Sequence, residues 1–178
     1  MNKLNITTKN NSSTELATKE ILETLLGKWD ISQYFFTDNV MIEDRAMPHS
    51  HPALTINSFP YNDQIMHLTD LLHEQLHWYF EEEQSLVDEA VVELKVHYPE
   101  VPVGHPLGCR DETSTYEHLL LCRLCHKITS NIFGEDESRQ IFYYLQNHHY
   151  LWVYDTIDKD SDYIDSLLDK YSLNIIKD

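Results

Sequence analysis

The sequence predicts a helix-rich α+β fold with a small sheet, in a single domain over residues 14–178. Three observations carry that prediction. Only 4 Gly and 6 Pro occur in 178 residues, so long helices with few tight turns are expected. Apolar residues recur at helical spacing through most of the chain after residue 62. Short aromatic or β-branched runs bounded by Asn, Asp and Pro are concentrated in residues 33–57. An apolar fraction of 42% at this length suits one hydrophobic core.

Residues 1–13 are rich in Asn, Ser and Thr and read as a flexible tail. Ser12 with Glu15, or Ser13 in its place, opens a helix carrying Leu16, Ile21, Leu22, Leu25 and Leu26, and Gly27 closes it. The aromatic run 33–37 reads as a strand, followed across an Asp38-Asn39 turn by Val40, Met41 and Ile42. His49 and His51 lie in a loop. A further strand spans 53–57. Asn62 caps a central helix running to about residue 83, with Ile65, Leu68, Leu72, Leu76 and Tyr79 as its core stripe and His67 toward solvent. A second helix covers 86–97, with Leu86, Ala90, Val91 and Leu94 on one face, and Pro99 and Pro102 end it. Residues 101–111 form a loop. Thr113 or Ser114 caps a helix over 115–133 bearing Leu120, Leu121, Leu124, Ile128 and Ile132, with Gly134 after it. Another helix spans 137–147. Residues 150–154 fit a strand or a helix, and 163–171 is a last amphipathic helix.

The central helix contains His73-Glu74-Gln75-Leu76-His77, an HExxH sequence in an apolar setting. Positions i and i+4 share a helix face, so His73 and His77 can present two imidazole nitrogens to one ion. Glu74 sits one residue round from His73, within reach of a metal-bound water. This is the spacing of a hydrolytic zinc site. Here the chain resembles the zincin metallopeptidases, whose active-site helix carries HExxH among hydrophobic neighbours, as Leu72 to Trp78 does. The resemblance covers this helix and the strand before it. It implies a zinc-dependent hydrolase of peptide bonds, with Zn2+ as cofactor, a peptide or protein as substrate, His73 and His77 as ligands, and Glu74 as general base and then acid. It also implies an edge strand beside the metal that pairs with extended substrate, a place the strand at 53–57 fits in chain order.

Zincins take a third ligand from outside the motif. No His or Gly follows His77 closely, so this chain departs from the pattern in which that ligand follows a Gly turn. Glu112, Glu117 and His118 cluster at the start of the 115–133 helix, ahead of its Leu-rich stripe, and His118 is chosen, before Glu117, Glu112 and the loop residue His105. For a donor to the oxyanion, Tyr154 is chosen over His149 and Tyr116.

The formal net charge of −17 disfavours nucleic acid and anionic membrane surfaces as partners, since phosphate would be repelled. Three Cys without an export signal point to reduced thiols and a cytoplasmic location. Two other function classes stay open. In one, HExxH is accidental and the chain is a non-catalytic helical interaction protein. In the other, Cys122-Arg123-Leu124-Cys125-His126 matches the c-type haem attachment pattern, although its Leu-rich helical setting reads as small buried thiols.

Overall fold

A computed structural model describes residues 4–61 and 63–176. The fold is α+β: seven α-helices and a three-stranded parallel sheet among the described residues. The chain forms two compact units, residues 1–79 and 80–178.

The first unit holds β1 (Asn5–Thr8), α1 (Ser13–Lys28), β2 (Asn39–Glu43), β3 (Leu54–Asn57) and most of α2 (Ile65–Glu82). Strand order is β1-β2-β3, all parallel, with Ile6 beside Val40 and Met41 beside Thr55. Inward side chains Ile6, Val40, Ile42, Leu54 and Ile56 are buried. The tail expected at 1–13 is therefore corrected over its described part, because β1 lies within it. Leu4 and Ile6 are its only apolar anchors after Met1, too few to mark a strand by pattern. Residues 1–3 and the Asn62 cap fall outside the described residues.

α1 begins with the expected capping box. Ser12 Oγ accepts from Glu15 N, and Glu15 accepts from Ser12 N. The Glu15 carboxylate also accepts from Asp44 N, which ties the start of α1 to the end of β2. The helix runs one residue past Gly27 and ends on Trp29, whose N–H reaches Leu25 O.

The strand expected at 33–37 does not form. Residues Ser32–Tyr34 make a 3-10 turn that starts on Asp30, which accepts from Ser32 N and Oγ. Phe36 N and Thr37 N donate to Gln75 Oε1, and Gln75 Nε2 donates to Thr37 O. A buried side-chain amide thus takes the backbone groups that a strand partner would have taken. β2 consequently joins a parallel sheet instead of a hairpin.

α2 carries the expected stripe, with Leu68, Leu72, Leu76 and Tyr79 buried. His67 is not in solvent as expected; it is 2% exposed. Its ring meets that of Tyr61 edge-on at 4.9 Å. Six residues from His73 it leaves that face, but the face it joins is also buried.

In the second unit, α3 (Gln84–His97) buries Val87, Ala90, Val91 and Leu94, with Leu86 only half-buried. α4 (Glu112–Phe133) is packed by α3, α5 (Glu135–Gln146), α6 (Leu151–Lys159) and α7 (Ser161–Lys170). Its cap is Asp111, accepting from Ser114 N, in place of Thr113 or Ser114. Residues 150–154 lead into a helix, not a strand. The 101–111 loop is pinned to α4 through Thr115 Oγ1, which accepts from Cys109 N and bonds Pro102 O. Its Pro106 and Leu107 carbonyls accept from Leu151 N and Trp152 N, capping the first turn of α6. No helix among the described residues is long and apolar enough to cross a membrane.

Candidate metal centre

His73 and His77 stand one turn apart on α2, half-buried, with ring centroids 5.0 Å apart and planes at 75°. The residues between them fix the helix in place. Gln75 holds the 36–37 backbone, and Leu76 is fully buried. Just after the motif, Trp78 Nε1 donates to Ser50 O at 3.0 Å, and the ring of His51 stacks on Trp78 at 4.2 Å. Glu74 is 5% exposed. Burial, and then the charge of Asp70 one turn before it, push its carboxyl up to about 8. Asp70 is itself pushed up to about 6 by burial, against the pull of the Tyr61 hydroxyl, which donates to it at 2.7 Å.

His118 lies at the start of α4 and is buried. Its Nδ1 is 2.7 Å from the Ser114 carbonyl oxygen. Burial pulls its pKa down to about 4, so the ring is neutral. His73, His77 and His118 can each offer one ligand atom, all within 4.8 Å of one another, and this group could hold a metal ion. Three imidazoles suit zinc, and tetrahedral coordination at about 2.1 Å sets such atoms roughly 3.4 Å apart.

The alternatives to His118 are not part of that group among the described residues. Glu117 is half-buried and bonded to Gln84, while Glu112 and His105 are exposed. Tyr154 is 5% exposed, and its hydroxyl accepts from the Cys122 thiol at 3.8 Å. The phenol beside His118 is Tyr150, with rings 4.9 Å apart edge-to-face. Tyr150 has φ 52° and ψ 38°, a left-handed conformation that is uncommon for a residue other than Gly. Such strain persists where the surroundings over-determine it, which is frequent at functional sites. His149 next to it is driven down to about 4 by burial and by His148, His105 and His118. Tyr150 gave no signal in the sequence, because a left-handed residue ahead of a helix has no pattern in one chain.

The second motif does not form an open site. The Cys122 and Cys125 thiols are 0% and 2% exposed, and His126 stacks on Phe142 at 4.2 Å. The strand β3 lies at the sheet edge, but at Thr55 its outer side is taken by His49, through bonds of 3.0 and 2.8 Å. In comparisons with protein-family models, curated proteins and solved structures, nothing matches the chain.

Proposed function

We propose that the chain is a zinc-dependent metallopeptidase of zincin type. The observation that carries this reading is the group His73, His77 and His118, with Glu74 buried within the same HExxH turn. His73, His77 and His118 would hold the ion. When bound, zinc lowers the pKa of a coordinated water toward about 7 and polarises a carbonyl. With its carboxyl deprotonated, Glu74 would take a proton from the attacking water and later give it to the leaving amine. The Ser114 carbonyl keeps the Nδ1 proton on His118, which leaves the Nε2 lone pair for an ion. Tyr150 is the candidate donor to the oxyanion that forms on attack. A peptide or protein substrate follows from the resemblance of the HExxH helix. Three buried thiols outside any disulfide fit a reducing, cytoplasmic location.

The test is metal content followed by turnover. Purified protein should hold one zinc per chain, and it should cleave members of a fluorogenic peptide library, with loss of cleavage on chelation and recovery with zinc. Protein that takes up no zinc when supplied with it returns the chain to the non-catalytic reading.

A further inference from the structure

β1 is an edge of the sheet, and one side of its backbone faces away from β2. Asn5 N and Lys9 N donate to Asp38 O and Ile42 O. Backbone groups alternate along a strand, so the N–H and C=O of Ile6 point to the open side. The Ile6 carbonyl is met there by Lys19 Nζ at 2.7 Å, a lysine placed as such edges are commonly guarded. Beside this edge lies a cavity of about 630 Å³ lined by Leu4, Ile6, Leu26, Trp29, Ile31 and Phe35. Glu23 and Asp30 stand on its rim.

We propose that this edge and groove form a docking surface for an extended segment of a partner protein with alternating apolar and basic residues. The segment adds as a fourth strand along β1. Its N–H takes the Ile6 carbonyl and displaces the Lys19 ammonium, which already stands 3.9 Å from Glu23. Apolar side chains on one face of the added strand enter the groove, and long basic side chains of the segment reach round to Glu23 and Asp30 at its lining. The charge of −17 selects the occupant: a basic segment is attracted, and a second copy of this chain is repelled. This surface lies apart from the HExxH motif in sequence and does not depend on the metallopeptidase reading.

The experiment uses the full chain and three probes: acetyl-Lys-Val-Lys-Val-Lys-Val-amide, the same peptide with Glu for Lys, and the Lys peptide with its central residues replaced by Pro. Binding is read from Trp29 fluorescence against a Trp29→Phe control and from backbone amide shifts. The Lys peptide should bind saturably and shift Ile6 and Leu26. The Glu and Pro peptides should bind at least tenfold more weakly, because one lacks the charge and the other the N–H. Glu23→Lys, an exposed change that leaves the core alone, should weaken the Lys peptide several-fold, and Leu26→Glu should abolish binding. Equal affinity for all three peptides overturns the proposal, as does no saturable binding at millimolar peptide. Self-association that protects the Ile6 amide without peptide would give the groove to a second copy and also overturn it.

Discussion

The Nδ1 of His118 lies 2.7 Å from the carbonyl oxygen of Ser114, one turn earlier on α4. A carbonyl can only accept, so Nδ1 carries the proton and Nε2 the lone pair. This is the arrangement that orients metal-ligating histidines, and it comes from the helix itself. Ser114 in turn is held by the Asp111 cap, which accepts from its N–H at 2.8 Å. His118 therefore stands one turn beyond a capped helix start.

Removing that imidazole should remove the metal. His118→Ala is expected to lose zinc at equilibrium with a buffered chelator, and Glu117→Ala to retain it. Isothermal titration with zinc checks both. Retention by the first and loss by the second would move the ligand to Glu117. Retention by both would send the search to His105 and Glu112.

Glu74→Gln separates proton handling from metal binding. The amide keeps the shape of the side chain but cannot take a proton. Turnover of a validated peptide should fall by roughly 10²–10⁴-fold, while bound zinc stays at the wild-type level. Near-wild-type turnover in this variant would end the proposed mechanism.

The two tyrosines should part company. Tyr150→Phe is expected to lower kcat by about 10²-fold or more, as loss of an oxyanion donor does, with zinc retained and KM little changed. Tyr154→Phe removes a hydroxyl that accepts from the Cys122 thiol in the core, so its effect should fall on stability, on the order of 1 kcal/mol. Steady-state kinetics with urea denaturation of each variant distinguishes them. The opposite split would restore Tyr154 as the donor.

These residues show what a single sequence makes legible. Helices with strong 3.6-residue periods, α2, α3 and α4, were readable because their apolar stripes follow directly from local geometry. The His73/His77 pair was readable for the same reason, since i and i+4 meet on any helix. His118 stood out as a polar residue at the edge of a Leu-rich stripe, and the structure groups it with that pair. What was not readable depends on groups distant in sequence. The 33–37 run has strand composition, but Gln75, 38 or more residues away, satisfies its backbone. β1 is marked by Leu4 and Ile6 alone and becomes a strand only by pairing with residues 39–42. His67 turned inward because two faces of α2 are covered, which no period of one helix can reveal.

That inward turn of His67 has a consequence for stability. The ring is 2% exposed, and its Nδ1 has no hydrogen-bond partner among the described residues. Burial lowers its pKa from 6.5 to about 4. Below pH 6.5 the unfolded chain therefore binds a proton that the folded chain refuses. Stability contributed by keeping His67 neutral is present above about pH 6.5, falls as pH drops toward 4, and changes no further below that. The full difference is about 3 kcal/mol. His118 and His149 are lowered in the same direction, so the slope of the wild-type protein alone cannot assign it. His67→Phe isolates the term. Phenylalanine keeps a ring against Tyr61 and leaves no polar atom without a partner, so at pH 7.5 the variant should be at least as stable as wild type. At pH 5 its advantage should grow by about 2 kcal/mol, because about 1.5 pH units of the proton linkage have been removed. Urea midpoints at the two pH values measure this directly. An advantage that stays the same at both values would mean that His67 is not held neutral by the fold.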